Sequence, residues 1–357
     1  MLWLLRNDTN LEKKKNRKII RSKAPLRLGL AGGGTDVAPY SDLFGGAVLN
    51  ATISMYAYAT IIPSNDGRIV LNSLDKNARM ETGMLAELDS SGDLGLLAGI
   101  YNRIVRDFSI KPLSFSLTSY VDAPPGSGLG TSSTLVVAIL GAFAEWLNLP
   151  LGEYDLARLA YEIERNDLGM LGGKQDQYAA TFGGVNFMEF SANDKVIVNP
   201  LRIKDIYLHE LAHNLVLFYT QTSRLSSKII EAQSRNVTNN NQNSIDAMHQ
   251  LKIQSVMMKE ALLRGELDKI GEILDFGWKY KKQMADEISN PFIDKLYETA
   301  RENGATGGKI SGAGGGGFMI FYCPGETRSK VIKALKTFGV EAKRYEFTGS
   351  GLTTWTI

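Results

Sequence analysis

The sequence predicts an α+β protein of two domains, on the basis of three observations. The chain has 357 residues, more than one hydrophobic core usually supports, so two domains are the expected organisation. The first half is rich in segments with strand character, whereas the second half alternates helices and strands. Hydrophobic residues make up 44% of the chain and charged residues 22%, as in ordinary globular proteins. We predict a flexible extension at residues 1–18 and domains at residues 19–200 and 201–357.

The elements of the first domain follow from apolar periodicity. Residues 19–30 predict a first strand that stops at a run of glycines. Residues 47–62, rich in β-branched and aromatic side chains, predict one or two further strands. Apolar residues alternate with serines over 113–117, which indicates a half-buried strand. The apolar spacing then predicts helices at 135–147 and 156–164.

The second domain shows both periodicities in alternation. Its predicted elements are a strand at 215–219, an asparagine-rich loop at 234–244, helices at 245–263 and 267–284, a strand–glycine loop–strand unit at 307–322, a helix at 328–338 and a strand at 340–347.

Composition excludes several classes of partner. The formal net charge is +2, from 40 basic and 38 acidic residues, so nothing in the overall charge attracts nucleic acid or a membrane surface. The chain contains no apolar run of the roughly 18 residues that span a bilayer. Its single cysteine, Cys323, can form no internal disulfide, which suits a reducing compartment. We therefore expect a cytoplasmic protein that binds a small molecule, and the sequence leaves a homodimer open.

The strongest motif is Pro-Pro-Gly-Ser-Gly-Leu-Gly-Thr-Ser-Ser at residues 124–133, which leads directly into a predicted helix. Its glycines leave backbone N–H groups free to face an anion, and the helix N-terminus adds partial positive charge. Its hydroxyls suit phosphate oxygens or a magnesium ion. An ordinary capped turn is the alternative. The residues predicted to bind phosphate are Pro125, Gly126, Ser127, Gly128, Leu129, Gly130, Thr131, Ser132 and Ser133.

A second glycine-rich motif lies at residues 309–318, where five glycines occupy the six positions from 312 to 317. Such a loop can lie very close to another group because it carries almost no side chains. We predict that it lies against a bound nucleotide. A flexible surface hairpin is the alternative interpretation.

Charged side chains stand where the surrounding pattern predicts a packed interior. Arg27 lies on a strand of leucines. Asp36 follows a glycine turn, a position from which its carboxylate could bind a hydroxyl of a ligand. Glu164 ends a predicted helix, and Asp176 opens the short helical segment 177–181. A carboxylate beside a cation can orient and deprotonate an attacking hydroxyl. The alternatives are an Asx turn for Asp36 and an N-cap for Asp176.

One motif predicts a different chemistry. His209, Glu210 and His213 form a literal His-Glu-x-x-His, the pattern of zinc proteases. A zinc site of this kind needs a long helix, whereas the sequence from Asn214 onwards predicts a strand. We therefore expect a chance match on a short helix between the domains, and keep a zinc protease as an alternative.

Taken together, these segments resemble the GHMP kinases, the superfamily of galactokinase, homoserine kinase, mevalonate kinase and phosphomevalonate kinase. The substrate motif at 24–36, the phosphate loop at 124–133 and the glycine motif at 309–318 occur in the family's order. The resemblance implies a ribosomal S5 domain 2-like N-terminal half and a ferredoxin-like C-terminal half. It also implies transfer of phosphate from ATP, with Mg²⁺, to a hydroxyl of a sugar or sugar phosphate.

The resemblance also assigns roles position by position. Asp176 matches the proposed catalytic base, and Arg27 matches the cation beside that base. Ser132 and Glu164 match the residues that share the magnesium ion. Asp36 matches the aspartate that binds the sugar in galactokinase-like members.

A departure from the galactokinases narrows the substrate. Their Glu-His pair is replaced by Gly33 and Gly34, which removes two hydrogen-bonding side chains and argues against galactose. The motif is similar to that of the D-glycero-D-manno-heptose 7-phosphate kinases, which phosphorylate the anomeric hydroxyl for bacterial surface polysaccharides. The predicted substrate residues are Gly33, Gly34, Thr35, Asp36, Gly312 and Gly314, with Lys174 and Arg224 for the distal phosphate. A fucokinase-type enzyme and a sugar sensor without turnover are the alternatives.

Overall fold

The structure, a computed structural model, describes residues 18–221 and 226–357. Within these ranges the strands form one eight-stranded and one four-stranded sheet. The strands are β1 (Ile20–Ala31), β2 (Gly46–Pro63), β3 (Arg68–Ser73), β4 (Ala78–Gly83), β5 (Phe115–Val121), β6 (Val185–Ser191), β7 (Lys195–Pro200), β8 (Leu215–Tyr219), β9 (Gly307–Ile310), β10 (Phe318–Tyr322), β11 (Glu341–Lys343) and β12 (Thr353–Thr356).

The helices lie between these strands. They are α1 (Tyr40–Phe44), α2 (Gly95–Asp107), α3 (Thr131–Leu147), α4 (Glu153–Glu162), α5 (Gln175–Phe182), α6 (Asp205–Asn214), α7 (Ser226–Thr238), α8 (Gln242–Arg264), α9 (Ile270–Lys281), α10 (Pro291–Glu302) and α11 (Thr327–Lys336). A π-helical turn, Ile163–Asp167, extends α4, and a 3₁₀ turn, Leu267–Lys269, precedes α9. No helix in the described ranges is both long and apolar enough to cross a bilayer.

The first sheet has the order β12-β1-β2-β5-β3-β4, with β6 paired to β2 and β7 to β6. Helix α3 lies across β1 and β2. Residues 135–143 of α3 are buried without interruption, because this stretch is apolar on all sides, as expected of a helix inside a core. The helix therefore holds its N-terminus, with the glycine loop before it, at a fixed place beside β1.

Strand β1 is irregular where it passes that loop. Its antiparallel register with β2 shifts between Pro25 and Arg27 and again between Gly29 and Ala31. Such irregularities redirect side chains and free backbone groups from the ladder. The N–H of Arg27 instead donates to the carbonyl oxygen of Leu129 at 3.2 Å. This bond fastens the strand to the glycine loop.

The second sheet has the order β11-β8-β10-β9, and all its pairs are antiparallel. Helices α9 and α10 pack against β9, and α11 packs beside α10. Their shared core is built from large buried side chains such as Trp278, Phe321 and Leu296. The two sheets with their helices confirm the prediction of an α+β protein.

The chain does not divide cleanly near residue 200. Strand β12 pairs with β1, with Ile20 opposite Thr356, so the end of the chain lies in the first sheet. Ile19 and Ile357 also exchange two backbone hydrogen bonds of 2.9 Å. The predicted domain of residues 201–357 is therefore wrong for these last residues, because the edge of β1 needs a partner.

The asparagine-rich stretch is also different from the prediction. Residues 234–238 belong to α7, and α8 begins at Gln242, with the Asn241 side chain accepting from the Ser244 N–H as its N-cap. Ile229, Gln233 and Val237 are buried at helical spacing, so tertiary packing outweighs the low helix propensity of asparagine. Helices α1, α2, α7 and α10 and strands β3, β4, β6, β7 and β12 were not predicted.

Candidate active site

A cavity of about 670 Å³ lies between the two halves of the molecule, within the size range of small-molecule sites. Its walls come from β1 and the turn after it, the loop before α3, the N-terminus of α5, helices α7 and α9, and the loop after β9. Segments far apart in the sequence, including all three glycine-rich motifs, therefore meet around one space.

Arg27 and Asp176 form an ion pair in this cavity. The Nε and Nη2 atoms of Arg27 each lie 2.6 Å from Asp176 Oδ1. The arginine side chain is only 4% exposed, whereas that of Asp176 is 22% exposed. Arg27 Nη1 also donates to the carbonyl oxygen of Gly128 at 2.6 Å. One guanidinium therefore links the carboxylate to the glycine loop.

The carboxylate of Asp176 lies directly against the mouth of that loop. A Cβ added to Gly130 would meet Asp176 Cγ at 3.0 Å, and Gly130 has a φ of +77°. Only glycine combines this backbone conformation with such a close neighbour. The loop and the carboxylate thus face the same space, at the N-terminus of α3.

The two glycine loops touch each other. A Cβ on Gly128 would lie 2.2 Å from the carbonyl oxygen of Ser311, and a Cβ on Gly312 would lie 2.6 Å from Gly128 Cα. The Phe318 N–H donates to the Ser127 carbonyl oxygen at 2.9 Å. The sequence predicted that the second loop approaches a nucleotide; the structure shows that its close neighbour is the first loop.

Most of the predicted phosphate-loop residues line the cavity, and two do not. Ser127 and Leu129 are fully buried and lie behind the loop, where they hold its shape. Those that line the cavity are Pro125, Gly126, Gly128, Gly130, Thr131, Ser132 and Ser133.

Glu164 lies in the cavity wall, on the π-helical turn after α4. Its carboxylate accepts from Gln177 Nε2 at 2.5 Å, and the same amide nitrogen lies 3.1 Å from Ser133 Oγ. Burial raises the pKa of the Glu164 carboxyl. The guanidinium of Arg165, 3.9 Å away, lowers this pKa but does not cancel the effect of burial. A buried carboxylate beside helix-N-terminal hydroxyls is a suitable pair of oxygen ligands for a hard divalent cation.

Asp36 connects the predicted substrate motif to α5. It accepts hydrogen bonds from the backbone N–H of Gln175 at 3.1 Å, from the Gln175 side chain at 3.2 Å and from the Gly34 N–H at 3.2 Å. Asp36 lines the cavity and is almost completely buried. Asp36 therefore positions the N-terminus of α5, the helix that carries Asp176.

Some of the other predicted substrate residues line the cavity, and others only support its walls. Gly33, Gly34 and Gly312 line the cavity, whereas Gly314 packs against Ile288. Thr35 is buried, and its hydroxyl lies within hydrogen-bond distance of the carbonyl oxygens of Gly32 and Ala47. Thr35 and Gly314 thus hold the loops rather than line the site.

The cations predicted for a distal phosphate need correction. The ammonium group of Lys174 lies 2.7 Å from Asp194 and 3.4 Å from Asp42, and Lys174 is not part of the cavity wall. Two carboxylates thus draw this lysine to the other side of its loop. Arg224 lies outside the described residues.

The sequence reasoning missed two other lysines. Lys281 and Lys309 are buried and line the cavity. Lys309 stands within a strand of small and apolar residues, the signal that identified Arg27. Helix α7 also contributes Ser227, Ile230 and Gln233 to the wall, and these residues were missed because no element was predicted over 226–233.

The His-Glu-x-x-His segment lies elsewhere. His209 and His213 are exposed on α6, which ends at Asn214. Among the described residues, no group of three or more histidine, cysteine, aspartate or glutamate side chains could hold a metal. The zinc-protease alternative therefore fails on both the length of the helix and the missing third ligand.

Both halves of the chain match domains of one protein family. The GHMP kinases N terminal domain matches residues 95–184, and the GHMP kinases C terminal domain matches residues 258–341. The chain belongs to the GHMP kinase family. It is therefore a phosphotransferase with ATP as donor, and the predicted fold class and enzyme class are confirmed.

Three known proteins show how closely this chain matches particular members. A D-glycero-alpha-D-manno-heptose 7-phosphate kinase of Campylobacter jejuni is 50% identical over 340 residues, covering 95% of this chain and 100% of that protein. The solved structure of a D-glycero-D-manno-heptose 1-phosphate kinase from Bacteroides thetaiotaomicron has a TM-score of 0.81 and 46% identity, covering 95% and 99% of the two chains. An L-fucokinase/L-fucose-1-P guanylyltransferase of Bacteroides fragilis is 25% identical, covering 92% of this chain and 37% of that protein.

Proposed function

We propose that this kinase transfers the γ-phosphate of ATP to the anomeric hydroxyl of D-glycero-D-manno-heptose 7-phosphate, giving the 1,7-bisphosphate. The observation that carries the proposal is the Arg27–Asp176 ion pair at the mouth of the 126–130 loop, with contacts of 2.6 Å. It puts a carboxylate beside the place where a helix N-terminus and backbone amides would hold a triphosphate.

Asp176 acts as the base in this proposal. Both contacts from Arg27 use Oδ1, so Oδ2 is the atom left to accept the proton of the attacking hydroxyl. Arg27 neutralises the carboxylate and fixes its orientation, and its third contact, to Gly128, keeps base and phosphate loop in register. Phosphoryl transfer depends mainly on such positioning and on charge neutralisation.

Gly126, Gly128 and Gly130 have φ values of +71°, +82° and +77°. With these conformations the loop can turn its N–H groups toward one anion. The adjoining hydroxyls of Thr131, Ser132 and Ser133 also line the cavity. These groups would hold the β- and γ-phosphates of ATP, so that the terminal phosphorus faces Asp176.

Magnesium fits the same corner of the cavity. Glu164 is fully buried, and burial raises the pKa of its carboxyl, which is the situation that a nearby cation relieves. Ser132, at the start of α3, supplies a hydroxyl. Glu164 and Ser132 would hold the ion, which when bound neutralises charge on the transferring phosphate.

The choice of acceptor rests on the relatives. The names of the heptose 7-phosphate kinase and the heptose 1-phosphate kinase that this chain resembles both specify a heptose carrying one phosphate, although they place it at different positions. Gly33 leaves room in the cavity, since a Cβ there would meet nothing nearer than Lys281 Nζ at 3.7 Å, and this room suits a sugar larger than a hexose. The product would serve the synthesis of nucleotide-activated heptose for bacterial surface polysaccharides, in the cytoplasm. The 25% identity to a fucokinase makes L-fucose the second candidate.

An acceptor panel tests the proposal. The purified chain is assayed for ADP release with ATP and Mg²⁺ and with heptose 7-phosphate, heptose 1-phosphate, L-fucose, mannose, galactose or mevalonate, and Asp176→Asn serves as the inactive control. We expect the highest kcat/KM with heptose 7-phosphate and a product phosphorylated at the anomeric carbon. A higher kcat/KM for L-fucose or heptose 1-phosphate would replace the proposed acceptor, and no turnover with any sugar would favour the sensor alternative.

A further inference from the structure

Two lysine side chains enter the cavity from the second half of the molecule and meet the turn after β1. Lys281 ends α9, and its Nζ lies 3.4 Å from the carbonyl oxygen of Gly33. Lys309 lies in β9, and its Nζ donates to the carbonyl oxygen of Gly29 at 2.9 Å. Both are at least 96% buried, with exposures of 2% and 4%. Each ammonium has three N–H donors, so one backbone contact leaves donors for a ligand.

These two charges have no carboxylate partner within ion-pair distance in the part of the chain that the structure describes. The charged groups that face them are Asp36, which is engaged by Gln175 and Gly34, and the guanidinium of Arg27. Burial lowers the pKa of Lys281 to about 8 and lowers that of Lys309 well below its ordinary value, and the positive neighbours add to this. Buried ammonium groups of this kind are costly unless an anion accompanies them.

Gly33 keeps the space beside the two ammonium groups free of side chain. A Cβ at this position would lie 3.7 Å from Lys281 Nζ and 4.0 Å from Lys309 Nζ, which is ordinary contact distance. The neighbouring Gly32 and Gly34 have φ values of +75° and +105°, whereas Gly33 is not in the left-handed region. The backbone therefore does not require glycine at position 33.

The two lysines contact a different segment of the cavity wall from the glycine loop before α3. The ammonium groups contact the carbonyls of Gly29 and Gly33 in the substrate motif. The 124–130 loop contacts Arg27, Asp176 and Ser311 instead. The glycine loop and the lysine pair thus form two distinct parts of one cavity wall, with the Arg27–Asp176 pair beside the loop.

We propose that Lys281, Lys309 and the space at Gly33 form the subsite for the phosphate that the acceptor sugar already carries. Two ammonium groups would donate charge-assisted hydrogen bonds to one phosphomonoester dianion. This subsite replaces the earlier prediction of Lys174. It rests on the proposed function only in requiring a phosphorylated acceptor.

The test compares Gly33→Ala and Lys281→Met with a matched control, Lys279→Met. Lys279 lies on the same helix, but it is 68% exposed and pairs with Asp275. We measure kcat and KM for heptose 7-phosphate, for heptose without phosphate, and for ATP. For Lys281→Met we expect KM for heptose 7-phosphate to rise by about tenfold to a hundredfold, the scale of a lost charged hydrogen bond. Gly33→Ala, whose methyl group would occupy the space beside the two ammonium groups, should raise the same KM. KM for ATP should stay within about twofold, and the preference for the phosphorylated sugar should fall.

Two outcomes would overturn the proposal. If KM for ATP rises and KM for heptose 7-phosphate does not, the lysines serve the nucleotide. If both sugars are affected equally, the pair holds sugar hydroxyls rather than phosphate.

A binding measurement separates this proposal from the function. Calorimetry with mannose 6-phosphate and with mannose, on the protein saturated with a non-hydrolysable ATP analogue, needs no turnover. Tighter binding of the phosphorylated sugar that Gly33→Ala abolishes supports the subsite even if the acceptor panel fails. Equal binding of both sugars to the unaltered protein contradicts the subsite even if heptose 7-phosphate is the substrate.

Discussion

Replacing Lys281 by methionine should make the ligand-free protein more stable. The Lys281 side chain is 2% exposed, and burial lowers its pKa from 10.5 to about 8. Each pKa unit corresponds to about 1.4 kcal/mol between the two protonation states. At pH 7 the charged lysine therefore costs the folded state about 3 kcal/mol, and methionine removes this cost while it fills a similar volume. The Gly33 carbonyl oxygen that loses its donor lines the cavity, where water can replace the bond.

The direction of the pH dependence follows from linkage. The folded-state pKa of Lys281 lies below the unfolded value, so the unfolded state binds more protons between about pH 8 and pH 10.5 and the unaltered protein gains stability as pH rises through this window. The advantage of Lys281→Met should therefore be fully present below about pH 8. It should fall from about 3 kcal/mol at pH 7 to about 1 kcal/mol at pH 10.

Urea unfolding at pH 7 and pH 10, followed by tryptophan fluorescence, measures both quantities. Lys279→Met is the control, because its exposed side chain should change stability by less than about 0.5 kcal/mol. A Lys281→Met protein that is less stable than the unaltered chain at pH 7 would refute the reasoning. So would a stability difference that stays constant between the two pH values.

Three further changes probe the reaction centre. Asp176→Asn should lower kcat by about a hundredfold or more, the scale of general base catalysis. If steady-state kinetics give a rate near that of the unaltered enzyme, Asp176 is not the base. Glu164→Gln should raise the Mg²⁺ concentration for half-maximal rate by about tenfold or more, and an unchanged Mg²⁺ titration at fixed ATP would assign the ion to other ligands. Gly130→Ala forces a Cβ to 3.0 Å from Asp176 Cγ at a φ of +77°. We therefore expect kcat to fall at least about tenfold and the free energy of unfolding to drop by about 1–2 kcal/mol. Normal activity of this variant would show that the Asp176 carboxylate can move without loss of catalysis.

The sequence predicted the catalytic pair and the glycine loop because their signals are local. Arg27 interrupts a run of leucines, and Asp176 follows glycines at the start of a short helix. Each position is unusual for its neighbours, so each could be identified before any contact was known. Their 2.6 Å contacts then follow from β1 and α5 meeting at the loop.

Lys281 could not be identified in this way. A lysine in the last turn of a helix is common, since it complements the helix dipole, and nothing local distinguishes it from the exposed Lys279 two residues earlier. Its role depends on α9 packing against the turn after β1. The loop predicted over residues 234–244 failed for a related reason, because the burial of Ile229 and Val237 is a property of the assembled core.

The contact between the two glycine loops has a consequence for engineering and for inheritance. A Cβ added to Gly128, Gly312 or Gly317 would lie less than 3 Å from a backbone atom of the opposite loop. Neither loop can therefore accept a side chain at these positions without moving the other loop. Chimeras that exchange halves between relatives should work only when both parents carry glycine at these positions. Natural variants should rarely replace these three glycines, and randomised libraries there would be mostly inactive.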